Sequence, residues 1–118
     1  TETLIKSIAY HNTDLTICIL NDALPQEWFA NLRQRLQSLR IEIRDIKIDS
    51  RQIANEQLSI GNITKMTYAR FMIPQCIPEA RVLYLDNDTI VQTDLDDLFN
   101  IDMQGHAIGV VKEALSPD

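Results

Sequence analysis

Apolar runs alternating with amphipathic stretches predict an α/β protein with a mainly parallel, doubly wound sheet flanked by helices. Three observations carry this prediction. Asp14 to Leu20, DLTICIL, is apolar almost throughout, as a strand buried on both faces of a parallel sheet must be. Trp28, Leu32, Leu36 and Leu39 recur at helical spacing on one face. Val82 to Leu85, VLYL, is another short apolar run and leads straight into Asp86-Asn87-Asp88.

In chain order, Thr3 to Tyr10 predicts a helix, because Leu4, Ile5, Ile8 and Ala9 fall three to four apart. The Asp14–Leu20 strand ends at Asn21-Asp22, and Pro25 suits the first turn of the helix that follows to Arg40. Ile41 to Ile48 predicts a strand in which Ile41 and Ile43 share one phase and Ile46 and Ile48 the other. The slip at Arg44-Asp45 implies a bulge or burial on both sides. Asp49 to Gly61 is polar and irregular. Thr64 to Cys76 reads as a helix, with Tyr68, Phe71 and Met72 on one face and Pro74 bending or ending it. Val82–Leu85 predicts a strand, Asp94–Phe99 a short helix and Ala107–Val111 a further strand. The chain opens on a helix with no strand before it, and Leu115–Asp118 stops just after a strand. That order predicts one partial domain over residues 1–118, a fragment of a larger protein or its ordered part.

Composition narrows the function classes. The 118 residues carry 45% apolar and 24% charged side chains, a globular balance that can bury one modest core. A net charge of −6 argues against nucleic acid as a partner, since phosphate binding needs clustered Lys and Arg. Arg33, Arg35 and Arg40 share a predicted helix and read as its solvated face. No run approaches the ~20 apolar residues of a membrane span, and TETLIKSIAY has no signal-peptide pattern. Cys18 and Cys76 read as reduced core residues rather than a disulfide. Asn62-Ile63-Thr64 and Asn87-Asp88-Thr89 are glycosylation triplets, and a glycan on the second would cover the acidic motif, which suits a cytoplasmic setting.

Asp86 and Asp88 stand at the carboxyl end of a predicted strand, where open α/β sheets bind ligands. Their i, i+2 spacing can bring two carboxylates to one divalent cation and leave coordination positions for phosphate oxygens. A bare D-x-D is equally a strand-end turn, where Asp and Asn are favoured by local backbone bonds. A haloacid-dehalogenase-type phosphatase would also use an Asp after an apolar strand, with Asp86 as nucleophile. Its D-x-D-x-T pattern meets Ile90 at the fifth position, and Asp86 lies late in the chain. An EF-hand fails because the fifth position has no oxygen and the glycine is missing.

The surroundings of the motif favour a different reading. YLDNDTIVQTDLDDLF resembles the signature of glycosyltransferase family 8, which includes glycogenin and the bacterial lipopolysaccharide galactosyl- and glucosyltransferases. TYARFMIPQCIPEARVLYLD resembles the family's Arg-bearing helix and the strand after it, and LIKSIAYHNTDLTICILNDALPQEWFANL fits its earlier helix, strand and helix. The resemblance implies a partial, Rossmann-like GT-A nucleotide-diphospho-sugar transferase fold, without the family's first strand or its later segments. It implies metal binding by Asp86 and Asp88, with Mn²⁺ as the cofactor or Mg²⁺ in its place. It places the nucleotide's ribose near Asn87, and the donor sugar and diphosphate near Arg70, sixteen residues ahead of Asp86. A guanidinium suits that task through forked, permanently charged hydrogen bonds. Taken alone, Arg70 would read as an ion-pair partner for one of seventeen acidic residues.

Lys65 reads as an exposed helix-start residue, Tyr68 as core, and His106 as a polar residue entering a strand rather than a metal ligand. No residue of the chain is assigned a catalytic role. By resemblance the activity is retaining transfer of a hexose, galactose or glucose, from a UDP-sugar to an acceptor hydroxyl on a lipopolysaccharide or other glycan. The transfer proceeds by same-face attack or through a short-lived covalent species. A nucleotide-sugar-binding half without turnover is the non-enzyme alternative. The same resemblance implies a cytoplasmic protein, peripheral to the inner membrane at most. An exposed sheet edge predicts self-association into a homo-oligomer.

Overall fold

The structure is a computed structural model that describes residues 1–49 and 65–112, with the side chains of 65–68 excepted. The expectations for Asp49 to Gly61 beyond Asp49, for the side chains of Lys65 and Tyr68, for Asn62 and for Leu115–Asp118 lie outside the described residues.

Helix α1 spans Glu2–His11 and buries Leu4, Ile5 and Ile8, the spacing its sequence predicts. Strand β1, Thr16–Asn21, pairs in parallel with β2, Glu42–Lys47. The connection is right for a βαβ unit: helix α2, Gln26–Leu36, crosses between them and continues as a 3-10 turn at Gln37–Leu39. Arg40 closes that turn in the left-handed region, at φ 55, so it lies beyond α2 rather than on the helix with Arg33 and Arg35. Its guanidinium pairs with Asp14 at 2.6 Å.

Two details of this unit differ from the sequence reading. Pro25 is the N-cap in extended conformation, and its carbonyl accepts from Trp28 N–H at 3.1 Å. The register runs without a break from Thr16 opposite Glu42 to Asn21 opposite Lys47, so β2 has no bulge. Burial on both sides explains the phase slip instead. Ile43 faces the main core, Arg44 and Asp45 are half-buried, and Ile48 is buried just beyond the strand.

The main core joins Ile5, Ile19, Phe29, Leu32, Leu36, Ile41 and Ile43 between α1, α2 and the sheet. Phe29, not Trp28, is its centre: it is fully buried, with Trp28 edge-on at 5.0 Å. Arg33 lies 5.7 Å and Lys47 4.8 Å from the Phe29 ring centre. A second cluster of Leu4, Ile8 and Val91, with Leu85 and Leu95 against it, packs the C-terminal half onto α1.

The C-terminal half is less regular than predicted. Lys65–Met72 is a 3-10 stretch, and helix α3 follows at Ile73–Cys76. Pro74 sits in the first turn of α3, where its missing N–H costs nothing, so it starts this helix rather than ending the previous one. Val82–Leu85 and Ala107–Val111 form no strands. A strand needs a ladder partner, and among the described residues only β1 and β2 pair. Val82 and Tyr84 are correspondingly 41% and 44% exposed, and Val110 and Val111 are 86% and 93% exposed. Helix α4 is confined to Asp96–Phe99, because the Asp94 carboxylate accepts from Asp96 N–H at 2.7 Å and caps the turn from outside. Arg81 holds the other end of α4, donating to the carbonyls of Phe99 and Ile101 at 2.9 and 2.8 Å.

Candidate functional site

Asp86, Asn87 and Asp88 lie together on an exposed turn directly after the Val82–Leu85 segment. The turn is fixed from within. Thr89 donates to the Asp86 carbonyl twice, from its hydroxyl at 2.7 Å and its N–H at 3.2 Å. Asx- and Thr-type local bonds of this kind are what the residue types at such a turn predict.

Both arms of the turn are anchored. Upstream, Leu85 packs against Leu4, Ile8 and Val91. Downstream, Val91 N–H donates to the Ser7 hydroxyl at 2.9 Å, and Leu95 N–H donates to the Asn12 side-chain oxygen at 2.8 Å. Ser7 and Asn12 are held in turn by the carbonyls of their own helix, Leu4 at 2.7 Å and Ile8 at 3.0 Å. The sequence reading missed both residues. Asn12, buried just past the helix end, carries a faint signal, since a polar side chain there must satisfy something.

Arg70 is exposed, and its guanidinium carbon sits 5.7 Å from the centre of the Tyr84 ring. Tyr84 is two residues before Asp86, so Arg70 and the acidic motif meet through this ring. The Tyr84 phenol is pushed above its ordinary range mainly by burial and then by the Asp86 carboxylate, while Arg70 pulls it back. His106 belongs to a turn, with its N–H donating to the Met103 carbonyl at 2.9 Å, and it is exposed. No group of three or more His, Cys, Asp or Glu converges on one point among the described residues. Asp86 and Asp88, two carboxylates on one turn, are the candidate donor pair. Two exposed carboxylates of this kind fit a hard divalent cation that keeps open positions.

Two other features lie away from this motif. Open hollows of about 440 and 480 Å³ are lined by the end of α1 with Asp94 and Asp96, and by Arg33 to Ile43. Neither includes Asp86 or Asp88. At the carboxyl ends of β1 and β2, buried Asn21 donates to the Asp45 carboxylate at 2.8 Å. It also accepts from Lys47 at 2.6 Å and from Leu24 N–H at 3.1 Å. Gln26 adds a bond to Asp45 at 2.9 Å. Asn21 bonds to both strands and to the loop after β1, which makes the network a clamp between the strands. Cys18 and Cys76 are free thiols. Burial pushes the Cys18 thiol up, away from reactivity.

The model of the family described as "Glycosyl transferase family 8" matches residues 1–117. Among curated proteins, glycosyltransferase GlyB of Streptococcus pneumoniae is 37% identical over 96% of this chain. Glycosyltransferase GlyE of the same organism is 43% identical over 86% of it. The chain spans only 28% and 25% of those two relatives. The crystal structure of GlyE superposes with a TM-score of 0.67 at 42% identity, covering 86% of this chain and 23% of that one. No helix among the described residues is long and apolar enough to cross a membrane.

Proposed function

The chain belongs to glycosyltransferase family 8, and we propose that it forms the donor-binding part of a retaining hexosyltransferase that uses a UDP-sugar. The observation that carries this reading is the anchored, exposed Asp86-Asn87-Asp88 turn with Arg70 held beside it through Tyr84. The phosphatase alternative draws no support from the family match.

On this reading Asp86 and Asp88 hold a divalent cation, Mn²⁺ or Mg²⁺, which when bound neutralises charge developing on the leaving nucleotide diphosphate. Arg70 donates forked hydrogen bonds to the diphosphate or the donor sugar. Asn87 lies between the two carboxylates and meets the ribose. The rigidity of the turn matters because the chemistry asked of this part is positional and electrostatic, and needs no general base here. The acceptor is a glycan hydroxyl, of lipopolysaccharide type or another envelope glycan. A cytoplasmic site of action is supported by the Asn87-Asp88-Thr89 triplet, which a glycan would obstruct.

Calorimetric titration of UDP with Mn²⁺, and then with EDTA, tests the reading. Binding that requires Mn²⁺ and disappears in both Asp86→Asn and Asp88→Asn is expected, with unchanged circular dichroism. Equal Mn²⁺-dependent affinity in all three proteins would remove Asp86 and Asp88 from the site.

A further inference from the structure

The segment that carries the acidic motif has no ladder partner among the described residues, so its backbone N–H groups must be satisfied in another way. Two of them are taken by side chains at α1. Val91 N–H donates to the Ser7 hydroxyl at 2.9 Å, and Leu95 N–H donates to the Asn12 side-chain oxygen at 2.8 Å. Each side chain also donates back to the helix, Ser7 to the Leu4 carbonyl and Asn12 to that of Ile8, so neither is free to turn away. We propose that Ser7 and Asn12 are positioning residues of the donor site. In place of a ladder, they set the Asp86-Asn87-Asp88 turn in the geometry that a divalent cation and a nucleoside diphosphate require. The inference rests on the reading of Asp86 and Asp88 given above.

The alternative, that both side chains merely finish a helix, accounts for only half of their bonds. The bonds to Leu4 and Ile8 are local, but the acceptors face N–H groups 84 and 83 positions away. Those N–H groups are well placed to hold the motif. Leu85 and Val91 both pack on Leu4 and Ile8, so the exposed residues Asp86 to Ile90 form a short loop between two pinned ends. Asp88 is three residues from Val91, a reach of roughly 10 Å at most. Apolar packing at Val91 is not directional, whereas the two hydrogen bonds are. Asn12 and Val91 are only 6% and 7% exposed, so water does not readily replace either bond. A turn that samples several geometries must be ordered when the cation binds, and that ordering costs affinity.

A control variant separates positioning from mere stability. Ser7→Ala, Ser7→Thr, Asn12→Ala and Asn21→Ala are compared with wild type, the last because Asn21 bonds to β1, β2 and the loop before α2. Calorimetry, at a temperature where circular dichroism shows every variant folded, gives the Mn²⁺ concentration for half-maximal UDP binding. Ser7→Ala and Asn12→Ala are each expected to raise it about threefold, within the range of one hydrogen bond. Ser7→Thr keeps a hydroxyl that can bond a carbonyl of the preceding turn, as Ser7 does, and is expected to match wild type. Asn21→Ala is expected to match wild type as well, although it loses stability. Linkage supplies a second readout: Mg²⁺ and UDP together should slow amide exchange at Val91 and Leu95 by about the same threefold factor and leave Leu24 N–H unchanged. A wild-type Mn²⁺ requirement in both alanine variants at α1 would overturn the proposal, and so would an equal rise in Asn21→Ala. A Ser7→Thr variant as impaired as Ser7→Ala would overturn the part given to the Ser7 hydroxyl. A wild type that does not bind UDP with Mn²⁺ would overturn the reading of Asp86 and Asp88 itself, and the positioning role with it.

Discussion

Val91 N–H donates to the Ser7 hydroxyl at 2.9 Å, joining two residues eighty-four positions apart. The bond matters because Val91 is the first buried residue after the acidic turn, and its side chain fills the cluster of Leu4 and Ile8 on the same helix. With the Asn12–Leu95 bond at 2.8 Å, the downstream arm of the turn is held at two points, Ser7 within helix α1 and Asn12 at its C-cap. The acidic turn is therefore placed by a helix that contributes no ligand to it.

Removing these anchors should loosen the turn before it unfolds the protein. Ser7→Ala leaves a part-buried N–H without its acceptor, and is expected to cost about 1 kcal/mol. Asn12→Ala strands both Leu95 N–H and the helix-end carbonyl of Ile8, and is expected to cost roughly 1–3 kcal/mol. Urea unfolding reads these losses as a lower midpoint at unchanged slope. Hydrogen exchange should quicken first at Val91 and Leu95. A midpoint at the wild-type value for Asn12→Ala would show that α1 does not anchor the motif.

Phe29→Ala tests the main core. The ring is fully buried, flanked by Trp28 and covered by the cations of Arg33 and Lys47, so its deletion removes both apolar burial and two cation contacts. An expected loss of about 3–5 kcal/mol would exceed that of any surface change here. Trp28→Ala, at a half-buried neighbour, should cost less. Reversal of that order in urea unfolding would assign the centre of the core to Trp28.

The contrast between Phe29 and Trp28 shows where sequence patterns carry and where they fail. Helices α1 and α2 and strands β1 and β2 are legible because their apolar residues repeat at a local period. The α2 pattern marked Leu32 and Leu36 correctly and passed over Phe29 for its neighbour Trp28, which packs against the core from its edge. Val82–Leu85 has strand composition but no ladder, because pairing depends on a neighbour that no local window contains. The turn at Asp86-Asn87-Asp88 was legible from its residue types, whereas reading the two carboxylates as a metal pair depended on the family resemblance of the surrounding sequence. Ser7 and Asn12 were not, as polar residues on a helix look alike whether they face water or a backbone N–H eighty residues away. The contact of Arg70 with the Tyr84 ring was hidden too, since the two residues lie in different segments of the chain.

The 118-residue chain by itself is expected to self-associate. Val110 and Val111 are 86% and 93% exposed, Ile108 is 78% exposed, and β1 pairs with β2 alone among the described residues. Exposed apolar segments and open strand edges both favour pairing between copies. Light scattering across a concentration series should show a mass rising above 13.5 kDa. The double substitution Val110→Lys and Val111→Lys should lower the association, and no change would place the contact elsewhere.

The Asn21–Asp45 clamp predicts the acid limb of stability. Partial burial raises the Asp45 carboxyl, but hydrogen bonds from Asn21, Lys47 and Gln26 outweigh it and hold the group below its ordinary value. The folded state therefore prefers the carboxylate, and binds fewer protons at this site than the unfolded chain. Its contribution is complete above the unfolded aspartate value of about 3.9 and is lost as pH falls through the lower folded value. The Glu79 carboxyl moves the same way, drawn down chiefly by its hydrogen bond from Arg44. Unfolding midpoints should be flat on this account above about pH 5 and fall below pH 4. Asp45→Asn should remove part of that fall while costing stability at neutral pH, because Lys47 loses its ion pair at 3.0 Å. Asn21→Ala should cost roughly 1–3 kcal/mol at neutral pH, leaving Leu24 N–H and Asp45 short of partners. An Asp45→Asn profile parallel to wild type from pH 7 to pH 3 would show that the clamp does not set the acid limb.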